Sequence, residues 1–105
     1  SKPLKALVNG LVLNIEETTI KLSPPPTQDN RVDFVFLDGG HDYSTVMNDL
    51  NCSIDVINND GTIFCDDYDL SYAPGVKKAI DDFTSKNNFR STILCNHRFA
   101  KIEKN

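Results

Sequence analysis

The sequence is short of the features that mark membrane, secreted and nucleic-acid-binding chains. No apolar run approaches the roughly 20 residues of a membrane-spanning helix, and no charged-then-apolar leader opens the 105 residues. Cysteine is scarce. Cys52, Cys65 and Cys95 form no CxxC pair and are odd in number, which reads as reduced thiols of a cytoplasmic protein rather than a disulfide framework. Basic residues are missing from the middle of the chain: between Asp29 and Asp69 stand ten Asp and one basic residue, Arg31. A surface of that sign repels phosphate backbones, so nucleic acid is not expected as a partner, whereas a cation is. Internal repeats and low-complexity segments are absent beyond Pro24-Pro25-Pro26.

What remains is ordinary. Hydrophobic residues make up 39%, charged residues 25%, and the formal net charge is −4, as expected of one soluble globular domain. The chain opens on Ser1 rather than Met, so a trimmed chain or a piece of something longer is expected. Leu4, Leu7, Val8 and Leu11 fall at helical spacing and predict a short helix over Leu4 to Leu13. Thr18 to Leu22 predicts a short strand. The prolines and the polar residues to Asn30 then make a connector, since three prolines remove three donors and hold the backbone extended.

From Val32 the pattern sharpens. Val32 to Leu37 is almost unbroken apolar sequence, the mark of a strand buried on both faces of a parallel sheet. Gly39-Gly40 stops it. Tyr43, Val46, Met47, Leu50, Ile54 and Ile57 predict a helix over Tyr43 to Ile57, which ends in Asn58-Asn59-Asp60-Gly61. Thr62 to Cys65 predicts a second buried strand. Pro74 opens a second helix whose core face is Val76, Ala79, Ile80 and Phe83. Arg90 to Cys95 and Arg98 to Glu103 predict two closing strands in a tight antiparallel hairpin about Asn96-His97. Alternating strands and helices give an α/β layout with a right-handed crossover and parallel neighbours.

The acids fall where such a sheet binds ligands, beyond the carboxyl ends of its strands. Asp38 closes the first buried strand; Asp66 and Asp67 close the second. If those strands are neighbours, roughly 4.8 Å apart, three carboxylates crowd together and call for a neutralising hard cation such as Mg²⁺. The plainer reading makes Asp66 and Asp67 turn or helix caps. His41, three residues after Asp38, is a metal ligand, a general base or a surface residue, and its ordinary pKa near 6.5 suits proton abstraction. His97 is expected to be structural or exposed, Asp42 a helix N-cap, Tyr43 and Tyr68 packing residues, and Cys65 an inert core thiol.

Val32-Asp33-Phe34-Val35-Phe36-Leu37-Asp38-Gly39-Gly40-His41-Asp42-Tyr43 resembles the DxxFIDGxHxY segment of class I S-adenosylmethionine-dependent methyltransferases, in the branch of metal-dependent sugar and small-molecule O-methyltransferases. Asn59-Asp60-Gly61, Ile63-Phe64-Cys65-Asp66-Asp67-Tyr68 and Pro74-Gly75-Val76-Lys77-Lys78-Ala79-Ile80-Asp81-Asp82-Phe83 follow in register with the family's next turn, fifth strand and following helix. The likeness runs from about Val32 to Phe83, with Gly40 and Asp42 as departures from the usual residues. It implies a Rossmann-like methyltransferase sheet in which Asp38, Asp66 and Asp67 hold Mg²⁺ and His41 removes the proton of a small-molecule hydroxyl.

The family's cofactor site lies mainly on its first two strands, with a Gly-rich turn after the first. No GxGxG occurs here, and the residues before Val32 are too few for two strands and two helices. The resemblance therefore implies a partial sheet: residues 1–31 as an N-terminal segment with its Pro-rich connector, and residues 32–105 as the C-terminal half of a methyltransferase domain, inactive alone. Without the first strand, the Val32–Leu37 strand presents a bare apolar edge, so self-association or pairing with the missing N-terminal half is expected. Two other readings stay open: a metal-dependent hydrolase built on Asp38, His41, Asp42, Asp66 and Asp67, and a non-catalytic association domain on the same sheet.

Overall fold

A computed structural model describes residues 4–17 and 19–105. It contains one mixed sheet of seven strands and two helices, in the chain order β1 (Leu4–Val8), β2 (Leu11–Glu16), β3 (Thr19–Ser23), β4 (Val32–Leu37), α1 (Tyr43–Ile54), β5 (Ile57–Cys65), α2 (Gly75–Lys86), β6 (Phe89–Leu94) and β7 (Phe99–Lys104). Across the sheet the order is β3-β2-β1-β4-β5-β7-β6. β1, β4 and β5 run parallel, so their carboxyl ends share one edge of the sheet. β2 and β3 continue from β1 as an antiparallel meander, and β7 and β6 close the other side antiparallel to β5.

The helix expected over Leu4 to Leu13 is replaced by a hairpin. Asn9 and Gly10 take φ of 50° and 77°, the left-handed geometry of a two-residue turn whose twist matches paired strands. Glycine reaches that φ without steric cost, and Asn is among the few side chains that tolerate it. Val8 pairs with Leu11 across the turn. β3 lies close to the predicted strand, with Thr18 outside the described residues.

β1 also changes the expectation for β4. Its residues Ala6, Leu7 and Val8 pair with Phe34, Val35 and Phe36, and the Lys5 amide donates to Asp33 Oδ2 at 3.0 Å. The β4 edge is therefore covered within the chain, and β3 and β6 are the outer strands of the sheet. Residues 4–23 thus form three strands of the same sheet as residues 32–104.

α1 stops at Ile54 rather than Ile57. The Asp55 and Val56 amides turn back onto the Cys52 and Ser53 carbonyls, and Ile57 pairs with Val32 as the first residue of β5. Register then slips between Val32 and Phe34, which absorbs Asn58 to Gly61 before Thr62 resumes pairing. The turn expected at Asn58–Gly61 is thus an irregularity inside a longer strand. Asp42 caps α1 as predicted, its side chain accepting from the Thr45 amide at 3.1 Å. α2 and the closing hairpin lie within about a residue of their predicted bounds.

Both helices pack on one face of the sheet. Val46 and Leu50 of α1 and Val76, Ala79, Ile80 and Phe83 of α2 join Val35, Ile63, Ala100 and Ile102 in a single buried cluster. Side chains alternate across a strand, so the residues between these point to the other face. There Leu22, Leu13, Ala6 and Phe34 form one row of register partners, and Leu11, Val8, Phe36 and Phe64 the next. The phenylalanines form an aromatic band, with Phe64 ring centroids 6.1 Å from Phe34 and Phe36 and 4.9 Å from Phe99. No described helix covers that face, and the narrowest extent of the molecule is 21 Å, the thickness of one sheet and one helix layer.

Candidate functional site

Asp38 leaves the end of β4, and Asp66 and Asp67 leave the end of β5, its neighbour. The Asp66 amide donates to the Leu37 carbonyl at 3.0 Å, which ties the two strand ends together. One carboxylate oxygen from each of the three residues lies within 4.8 Å of the others. The sequence-predicted trio does converge at neighbouring sheet tips.

Asp67 points inward because of its backbone. Its φ is 59°, and its amide donates to Asp66 Oδ1 at 2.7 Å. Asp is one of the side chains that enter this region at modest cost. The resulting turn sets Asp67 Oδ2 3.0 Å from His41 Nε2. His41 is exposed, its side chain 43% accessible; it meets Asp67 and, at 6.3 Å between ring centroids, the edge of Tyr72, while the start of α2 lies against the backbone of its loop. A Cβ on Gly75 would lie 2.7 Å from the Tyr43 amide nitrogen and 3.4 Å from the His41 carbonyl, so only glycine lets α2 begin so close to this loop.

Arg98 is the residue that the sequence reading missed. Its Nε donates to Asp66 Oδ1 at 3.0 Å, and a terminal nitrogen donates to Oδ2 at 3.3 Å. The Arg98 guanidinium holds the Asp66 carboxyl below the usual carboxylate range, and Asp66 in turn raises Arg98. Part of the charge that seemed to require a cation is thus supplied by the protein. The register of the sheet places it there: Cys65 pairs with Ala100 in an antiparallel ladder, which brings residue 98 up to the Asp66-Asp67 pair. The Tyr68 amide bonds the Arg98 carbonyl at 2.9 Å and fixes that approach.

Other predicted residues fall outside the trio. His97 sits in the hairpin turn, with φ of 69°, and Arg98 rather than His97 turns toward the acids. Asp42 is engaged at the helix cap. Tyr43 and Tyr68 donate to Asp82 and Asp81 of α2, each at 2.8 Å, and brace the loops around the site. Burial pushes the Tyr68 hydroxyl up to about 12, with the Asp81 hydrogen bond adding to it. The Cys65 thiol is pushed to about 12 by burial and is not a nucleophile.

Beside Asp38, between the carboxyl ends of β1 and β4 and the flank of α1, lies an open cavity of about 380 Å³. The Asn9-Gly10 turn, Pro26, Asp49 and Cys52 line it along with Leu7 and Phe36. Its size is that of a small-ligand site. Asp49 borders both this cavity and the smaller cleft that holds His41 and the three acids. Among the described residues, no helix is long and apolar enough to cross a membrane.

The chain is similar to an uncharacterized protein of Acanthamoeba polyphaga mimivirus, 39% identical over 56 residues. That stretch covers 52% of this chain and 25% of the viral protein, so the match spans about a quarter of that relative's length. A family model described as a methyltransferase domain matches residues 2–68, which takes in β1 to β5 and all three acids of the trio. The match reaches back well before Val32, where the resemblance was read from the sequence, and it includes the hairpin that replaced the expected helix. On that match the chain belongs to the methyltransferase-domain family.

Proposed function

We propose that this chain is the metal-binding part of an S-adenosylmethionine-dependent O-methyltransferase that acts on a small-molecule or sugar hydroxyl, and that the complete enzyme supplies most of the cofactor contacts. The observation that carries the reading is the convergence of Asp38, Asp66 and Asp67 beside His41.

The donor set suits a hard divalent cation. It consists of carboxylate oxygens alone, which favours Mg²⁺ or a similar ion over Zn²⁺. Oxygens bound to one Mg²⁺ at roughly 2.1 Å lie no more than about 4.2 Å apart. Oxygens that sit side by side on such an ion lie about 3.0 Å apart, so a spread of up to 4.8 Å needs the carboxylates to close in further by side-chain rotation. Arg98 would have to yield part of its grip on Asp66. When bound, such a cation polarises a substrate hydroxyl and lowers its pKa.

The chain's own residues then hold and move the proton. An ionised Asp67 can only accept, so His41 Nε2 must carry the hydrogen between them. A neutral ring in that tautomer offers its lone pair at Nδ1, the atom that would accept the substrate hydroxyl proton. Asp67 fixes the ring and stabilises the imidazolium that results. The cofactor is a different case. β1 runs into β2 through a two-residue turn, and no Gly-rich loop follows it. The cavity beside Asp38 has a fitting size, but the contacts that the resemblance assigns to the cofactor are not present in these residues.

The test is methyl transfer by the full-length protein to a panel of catechol and sugar hydroxyls. Chelation by EDTA should abolish turnover and Mg²⁺ should restore it. His41→Gln should lower kcat at least a hundredfold. Full turnover in EDTA would defeat the metal-assisted reading, and release of a hydrolysis product instead would favour the hydrolase.

A further inference from the structure

Among the half-buried aspartates of the described residues, one stands apart. Asp33 accepts from the Lys5 amide and from Asn58, Asp66 accepts from Arg98, Asp82 accepts from Tyr43 and Lys78, and Asp67 meets His41. Asp49, on α1, is half-buried too, yet among the described residues its carboxylate carries no hydrogen bond and no ion pair. The Ser53 hydroxyl bonds the Asp49 backbone carbonyl at 2.7 Å, not the side chain. Gly39 has no side chain to cover the carboxylate, since a Cβ there would lie 3.7 Å from Asp49 Oδ2. A charge drawn partly out of water without a partner costs free energy, which an added cation would offset.

That carboxylate lies on the wall of the 380 Å³ cavity beside Asp38, and the rest of the wall says which cation fits. Leu7, Phe36, Leu37 and Val56 supply apolar surface, Asp38 a second carboxylate and Asn9 an amide oxygen. Among the described residues no lysine, arginine or histidine lines the cavity, which disfavours an anion. A bare metal ion is a poor match. The trio that can share one ion is Asp38, Asp66 and Asp67, without Asp49, and an apolar wall offers a hydrated cation nothing. Acceptor oxygens beside apolar surface suit a primary ammonium on a hydrocarbon or aromatic body, since the ammonium brings three donors.

We propose that this cavity binds a small organic ammonium compound, with the Asp49 carboxylate as the counterion of its charged end. The inference goes beyond the methyl-transfer reading. The cavity adjoins the acid cleft through Asp38 and Asp49, but binding in it requires neither metal nor cofactor.

The experiment is an NMR titration of the isotope-labelled 105-residue chain in metal-free buffer at neutral pH. The probes are phenethylamine, 2-phenylethanol and phenylacetate, which share one apolar body and end in a positive, a neutral and a negative group. The amine should shift the amides of Asn9, Gly10, Asp49 and Cys52 and bind at least about tenfold tighter than the alcohol, with the acid weakest. Asp49→Asn, which keeps the shape and removes the charge, should weaken the amine at least about tenfold and leave the alcohol unchanged. Asp60→Asn removes the same charge at an exposed position off the cavity wall and should leave every Kd unchanged. Equal binding of amine and alcohol by the wild type overturns the proposal whatever the variants do. Shifts centred on Asp66 to Tyr68 overturn it in favour of the acid trio, and displacement of the amine by S-adenosylhomocysteine overturns it in favour of the cofactor.

Discussion

The two ends of the sheet are built differently. From Val32 to Lys86 the chain alternates strand and helix, and every buried face meets another element: Val35, Ile63, Leu50, Ile80 and Phe83 are all fully enclosed. From Leu4 to Ser23 the described residues make three strands and no helix, and among them only Ala6 and Val12 are buried. The first region holds most of the core and places the acids. The second closes the β4 edge and forms one wall of the cavity, yet leaves its aliphatic side chains in water. The site stands on the border, at the carboxyl ends of the three parallel strands.

That contrast is open to direct attack. The largest expected effect is in the helix-backed region. Phe83→Ala empties the centre of the core and should cost about 3–5 kcal/mol of unfolding free energy, read by urea denaturation. Gly10→Val comes next. It forces a β-branched residue to a φ of 77° and should cost about 1–3 kcal/mol, with the loss confined to amide-exchange protection in β1 to β3. If protection in β4 and β5 fell equally, the two regions would be one cooperative unit.

The Asp66–Arg98 pair, which joins the end of β5 to the start of β7, has a smaller effect with a defined pH dependence. The folded pKa of Asp66 is depressed, so its contribution is complete above the ordinary carboxylate value and is lost as pH falls through the lower folded value. Wild type and Arg98→Ala should therefore differ in denaturation midpoint at neutral pH and converge in strong acid. A gap that widened in acid would contradict the assignment. The smallest effect belongs to the exposed aliphatic side chains of β3: Ile20→Ala should move stability by less than about 0.5 kcal/mol, read by urea denaturation.

The same border explains what was legible in the sequence. Buried elements announce themselves, since Val32 to Leu37 and the Val76, Ala79, Ile80 and Phe83 spacing leave little choice of structure. The three acids were legible because parallel strands must end at one edge of a sheet. The meander was misread because Leu4, Leu7, Val8 and Leu11 satisfy a helical period by accident, while the hairpin signal was the single dipeptide Asn9-Gly10. Arg98 was hidden for another reason. Its role follows from the register of β5 against β7, and register is a tertiary fact that no local pattern contains.

The central claim is that Asp38, Asp66 and Asp67 together hold one divalent cation. Calorimetric titration of the chain with Mn²⁺, a close stand-in for Mg²⁺, tests it alone and needs neither cofactor nor substrate. One site per chain is predicted, with Asp38→Asn and Asp67→Asn each weakening it at least tenfold and Arg98→Ala strengthening it by freeing Asp66. Binding that is absent, or indifferent to all three substitutions, would contradict the account.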